Sequence, residues 1–175
     1  MPDQPLAYHI TFGTYGARLH GDERGTVDCR HNRVNEPILG RNDAWRHASR
    51  DRLQFAPISL TLRQRHHSEA IIPEICRRGG WKYHLAAAQA DHVHALITAD
   101  TDGKIVRRLL KRWLSEELSK FWPLPEGQAW WAESGSVKWI WTGDYFRNVL
   151  DYIRRQSALE IEVRRSPVGD ERTPG

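Results

Sequence analysis

The sequence predicts an α+β fold: a central antiparallel sheet with helices packed on it and a long insertion after the first strand. Three observations carry this. Residues 7–15, 81–88, 92–98 and 136–142 alternate apolar and polar side chains, or carry β-branched and aromatic runs, as strands do. Longer stretches at about 64–78, 103–121 and 145–164 repeat apolar residues at helical spacing. The two middle strands are separated only by the polar turn Gln89-Ala90-Asp91, and so short a link joins antiparallel neighbours.

Taken in order, Tyr8, Ile10 and Phe12 share one face of the first strand. Residues 16–55 carry Gly16, Gly21, Gly25, Pro37 and Gly40, many charges and no sustained period, and read as an insertion with a short helix at most. Residues 57–62 form a short extended piece. The helix at 64–78 buries Ala70, Ile71, Ile75 and Cys76, with Pro73 weakening its middle, and Arg77-Arg78-Gly79-Gly80 ends it. Asp100-Thr101-Asp102-Gly103 caps the helix at 103–121. The last helix buries Phe146, Leu150 and Ile153, with Val149 on the edge of that stripe. One domain is expected over 1–165, followed by a frayed tail at 166–175.

Composition narrows the function classes. The chain has 175 residues, a formal net charge of +4 and eight tryptophans. Its apolar runs fall short of the ~18 residues that span a bilayer, so no membrane role is expected. Met1-Pro2-Asp3-Gln4 lacks a leader pattern, and the two cysteines, Cys29 and Cys76, make no disulfide framework. A cytoplasmic protein with reduced thiols is the expectation. The positive charge permits an anionic partner.

Two patterns carry chemistry. His92-Val93-His94 places two imidazoles on one face of a strand, with Val93, Ala95 and Ile97 on the other. Such a pair holds a metal ion only with a third ligand; from spacing alone, two solvated surface histidines are the better explanation. In the last helix Tyr152 and Gln156 are one turn apart. A phenol can attack a phosphodiester, but it ordinarily ionises near pH 10, so it needs a phosphate whose developing charge is neutralised. Two imidazoles and an amide oxygen suit Mg²⁺ or Mn²⁺, and Zn²⁺ as well. Arg107, Arg108, Lys111 and Arg112 on the 103–121 helix, and Arg154 and Arg155 beside Tyr152, are candidate phosphate contacts. A solvated helix face is the plain alternative for the first four. Arg18, Arg24, Arg30, Arg33 and Arg41 of the insertion are looser candidates. Any exposed member of Trp130, Trp131, Trp139 and Trp141 is a candidate for stacking on an unpaired base.

Asp91-His92-Val93-His94 resembles the histidine–hydrophobic–histidine motif of single-tyrosine HUH transposases, and Val149-Leu150-Asp151-Tyr152-Ile153-Arg154-Arg155-Gln156 resembles their tyrosine helix. Both stand in family order, and the resemblance spans about residues 5–12 and 56–160. It is most like the REP-associated tyrosine transposases and small insertion-sequence transposases. The resemblance implies a ferredoxin-like sandwich and a DNA transposase that acts as a single-strand endonuclease and strand transferase. It implies Tyr152 as nucleophile, His92, His94 and Gln156 as ligands of Mg²⁺ or Mn²⁺, and hairpin-bearing single-stranded DNA as partner. Relatives act as monomers or as dimers with shared sites, so a homodimer stays open. The chain departs from the family in its 16–55 segment, in Asp91 where Asn is common, and in lacking Asn-Pro after Gln156. Two other functions compete: a domesticated protein that binds DNA or RNA hairpins without cutting, and a metal hydrolase in which Tyr152 is structural.

Overall fold

A computed structural model of the chain describes residues 4–17, 44 and 51–159. Four strands, β1 (Ala7–Gly13), β2 (Lys82–Ala88), β3 (His92–Thr98) and β4 (Ser136–Ile140), form one sheet in the order β2-β3-β1-β4, and every pairing is antiparallel. Three helices pack on it: α1 (Leu62–Gly79), α2 (Gly103–Ser119) and α3 (Gly143–Arg154). Through β4 the chain order is β-α-β-β-α-β, the split arrangement in which β3 inserts between β1 and β2. This is the expected α+β sandwich. Most of the 16–55 insertion, with Arg18, Arg24, Arg30, Arg33, Arg41 and Cys29, lies outside the described residues, as does the tail.

Each helix has a local cause. Thr61 and Gln64 form a reciprocal capping box at the start of α1, and Gly80, with φ of +69°, closes its end while the Trp81 amide donates to the Cys76 carbonyl. The helix runs through Pro73, because Ile72, Ile75 and Cys76 are buried on either side of it. Burial also pushes the Cys76 thiol up to about 12. Asp102 accepts from the Lys104 amide at 2.8 Å and caps α2, as expected. Residues 57–62 join no strand: the Ile58 amide donates to the Tyr15 carbonyl and the Leu60 amide to that of Ala90.

The pleat divides the side chains between two cores. Tyr8, Ile10, Phe12, Val93, Ala95 and Ile97 meet α1 and α2 through Ile72, Ile75, Val106, Leu110 and Leu114. Ala7, Ala87, Leu96 and Ile140 meet α3 through Val149 and Ile153, with Phe146 and Leu150 partly buried beside them. Val149 is therefore central to the α3 contact and not at its edge. Burying such side chains contributes roughly 1.5–3 kcal/mol each.

Gly135 enters β4 where a Cβ would stand 2.7 Å from the Thr11 carbonyl oxygen and 3.0 Å from Phe12 Cβ. Neither neighbour can give, since both belong to the central strand β1. Gly135→Ala is expected to cost about 2 kcal/mol, a fall in melting temperature of roughly 4–8 °C, as thermal denaturation followed by circular dichroism will show.

Candidate active site

β3 presents His92, His94 and Leu96 to the face that α3 covers, and β1 presents His9 and Thr11 to the same face, Thr11 lying opposite His94 and His9 opposite Leu96. The rings of His92 and His94 are 4.7 Å apart between centroids and nearly perpendicular. α3 crosses this face with Val149 and Ile153 buried, which turns Tyr152 along the sheet with its ring edge-on to His94 at 5.3 Å and to His9 at 6.1 Å. Tyr152 remains 41% exposed, so a large ligand can reach its hydroxyl. The histidine pair and the tyrosine, separated in sequence, thus meet within one chain.

Each motif histidine has its Nδ1 engaged. The Asp91 carboxylate accepts from His92 Nδ1 at 2.5 Å. Thr11 Oγ1 lies 2.9 Å from His94 Nδ1, and His9 Nε2 lies 3.1 Å from it. A carboxylate only accepts, so Asp91 keeps the proton of a neutral His92 on Nδ1, and the partners on each Nδ1 orient the two rings. His9 is 7% exposed; burial first, and then the positive charge of Lys138, lower its pKa to about 4. Lys138 lies opposite His9 on β4 and is exposed, the nearest cation that the sheet itself offers to this face.

Gln156 is placed differently from the helical expectation. α3 ends at Arg154, and the chain turns through Arg155 and Gln156 before residues 158–159 are helical again. Gln156 sits in the turn beyond, where its amide donates to the Ile153 carbonyl and its own carbonyl accepts from the Gln89 side chain. The cause is Glu69 of α1, buried at 3% exposure. Its carboxylate accepts from the Ser157 hydroxyl at 2.7 Å and from the amides of Ala158, Leu159 and Ala88 at 2.8, 3.1 and 2.8 Å. An acceptor this strong, reached across 88 residues of chain, bends the backbone out of the helix. Among the described residues no group of three or more His, Cys, Asp or Glu side chains is placed to hold a metal ion.

The basic residues divide. α2 lies across the sheet from the histidines, so Arg107, Arg108, Lys111 and Arg112 do not flank Tyr152. Lys111 Nζ donates to the carbonyls of Ala132, Glu133 and Ser134 at 2.5, 3.0 and 3.4 Å, and Arg107 donates to that of Gly135. These two hold the loop that leads into β4. Burial and the neighbouring Arg107 lower the Lys111 pKa, against an opposing pull from Glu133. Arg112 pairs with Glu116 at 3.1 Å on the surface, a contact worth little. Arg108 is exposed and makes no hydrogen bond or ion pair among the described residues. On the site's own helix Arg154 pairs with Asp151 at 3.3 Å, and Arg155 is exposed. The tryptophans divide as well. Trp130 and Trp131 are core, their indole N–H groups donating to Ser119 Oγ and the Lys111 carbonyl. Trp139 and Trp141, on and just past the edge strand β4, are 51% and 44% exposed.

Sequence reasoning missed His9, Thr11 and Glu69. The alternation that assigned Tyr8, Ile10 and Phe12 to the core also put His9 and Thr11 together on the opposite face, and that pattern alone could have found them.

No family model and no curated protein matches this sequence. The solved structures similar to the chain include two described as transposases. One is a transposase candidate from Deinococcus radiodurans R1, 16% identical, covering 88% of this chain and 92% of that one with a TM-score of 0.46. The other is a REP-associated tyrosine transposase bound to a REP hairpin, 12% identical, covering 94% of this chain and 71% of that one with a TM-score of 0.48.

Proposed function

We propose that this protein is a DNA transposase that nicks and rejoins single-stranded DNA through a covalent bond to Tyr152. The observation that carries the reading is the meeting of Tyr152 with His94 and His92 on one sheet face, with the phenol exposed and the imidazoles held from behind. A binding module has no chemical need for a solvent-reaching phenol set against oriented imidazoles.

Tyr152 Oη attacks the phosphorus, the bond from phosphorus to the 3′ oxygen breaks, and the DNA 5′ end is held as a phosphotyrosine. The phenol proton passes to solvent and the departing 3′ oxygen takes one up. Because the phosphoester energy is kept in the tyrosine bond, a 3′-OH on another strand reverses the step and rejoins DNA without an external energy source.

The ion proposed for this site is a divalent cation, Mg²⁺ or Mn²⁺, since imidazole nitrogens and an amide oxygen are donors such an ion accepts. The rings of His92 and His94 lie 4.7 Å apart, each with a hydrogen-bond partner on Nδ1, and Gln156 in the turn after α3 is the candidate third protein ligand. When bound, such an ion supplies Lewis-acid stabilisation of charge on the phosphate. Lys138 and Arg155 supply positive charge on the site side. Arg108 serves phosphates remote from the cleaved bond, and Trp139 and Trp141 offer faces to unpaired bases.

One chain supplies both halves of the site, so a monomer suffices for the first cleavage. With Mn²⁺ and end-labelled single-stranded DNA bearing hairpins from the flanks of its own gene, the expected result is a protein–DNA adduct that survives denaturing electrophoresis, and a chelator abolishes it. Retarded DNA on native gels with no adduct in any metal favours the non-cleaving hairpin binder instead.

A further inference from the structure

Next to His94 the site face holds two polar side chains that this chemistry leaves unused, Thr11 and His9, and the role assigned to them rests on His92 and His94 being metal ligands. Thr11 Oγ1, His9 Nε2 and His94 Nδ1 form a closed triangle with sides of 2.9, 3.1 and 3.4 Å. The strand register fixes it, because Thr11 is the Cα partner of His94 on β3 and His9 shares the same face of β1.

A neutral imidazole carries one ring proton. With that proton on Nδ1, the Nε2 lone pair can bind a metal ion; with it on Nε2, that lone pair is gone. For His92 the choice is made by Asp91, since a carboxylate only accepts and so requires N–H at Nδ1. His94 has a hydroxyl on its Nδ1 instead. A hydroxyl both donates and accepts, so Thr11 alone leaves the choice open, and it passes to His9 Nε2 at the third corner of the triangle. With His9 Nε2 accepting the Thr11 hydroxyl proton, Thr11 Oγ1 presents its lone pairs to His94 and accepts from Nδ1–H.

We infer that Thr11 and His9 are positioning residues which hold His94 in its Nδ1–H tautomer, so that Nε2 is the atom offered to the metal ion. The two ligands of the motif are thereby prepared by different devices, a carboxylate for His92 and a hydroxyl backed by an imidazole for His94.

Two measurements on the full chain test this. In the metal-free protein with ¹⁵N-labelled histidine, two-bond ¹H–¹⁵N correlation spectra are expected to show His94 as the Nδ1–H tautomer; an Nε2–H tautomer overturns the inference, and this readout needs no variant in the triangle. Calorimetric titration with Mn²⁺ is expected to show affinity weakened about 10–100-fold in Thr11→Val and largely restored in Thr11→Ser. Equal affinity in Thr11→Val and the parent overturns the inference. His92→Ala separates the two levels. If it loses Mn²⁺ binding while Thr11→Val does not, only the positioning role falls; if His92→Ala binds like the parent, or the parent binds no Mn²⁺, the metal site falls and the positioning role with it.

Discussion

Tyr152→Phe is expected to abolish the protein–DNA adduct and lower strand cleavage at least about a thousandfold, while leaving folding stability within about 0.5 kcal/mol of the parent. The two expectations come from the same geometry. The substitution removes one oxygen from a ring that is 41% exposed, so no buried partner is orphaned. The ring itself stays, edge-on to His94 at 5.3 Å, and α3 keeps its anchors Val149 and Ile153. What disappears is the hydroxyl beside His94 that can form the phosphoester. Gel assays of adduct and cleavage, run beside a denaturant titration, check both halves. Cleavage that persists in the variant contradicts the nucleophile and favours a hydrolase in which water attacks.

Glu69→Ala is expected to destabilise the fold by about 4 kcal/mol, a large share of the roughly 5–15 kcal/mol that keeps a domain folded. The carboxylate is buried and gathers the Ser157 hydroxyl with the amides of Ala88, Ala158 and Leu159. Truncation leaves these donors facing a void, and a buried donor without a partner costs about 1–3 kcal/mol. The effect has a local signature as well. Glu69 ties α1 to β2 and to the turn that carries Gln156, so amide exchange at Ala158 and Leu159 is expected to rise well beyond what the global loss of stability explains. Chemical denaturation and hydrogen exchange measure these two effects. A midpoint within about 0.5 kcal/mol of the parent contradicts the role given to Glu69.

The sequence carried much of this architecture. β3 was legible to its last residue, because seven residues of alternating character come after a polar turn, and the shared face of His92 and His94 is dictated by the pleat alone. The glycine stop of α1, the Asp102 cap of α2 and the amphipathic stripe of α3 were local signals too, whereas Thr61, the cap of α1, falls in what the sequence reads as an extended piece. What stayed hidden depends on long-range pairing. His9 and Thr11 matter only because β1 lies beside β3 in a register that sets Thr11 opposite His94. The end of α3 is imposed by Glu69, 88 residues away from Ser157, and helical periodicity cannot report such an acceptor. Lys111 and Arg107 look like phosphate contacts by spacing, yet their cationic ends are spent on the carbonyls of the loop before β4. The separation of α2 from the histidine face likewise needs the sheet: a basic helix next in sequence to the histidines lies on the opposite side of it.

Everything proposed for this site turns on Tyr152, held against His94, being the residue that attaches covalently to DNA. Mass spectrometry of the protease-digested adduct, formed by the parent protein with hairpin-bearing single-stranded DNA and Mn²⁺, tests it most directly. The expected result is a nucleotide linked through its 5′ phosphate to the peptide containing Tyr152 and to no other residue. An adduct on another side chain such as Tyr145, or efficient cleavage with no linked peptide, would contradict it.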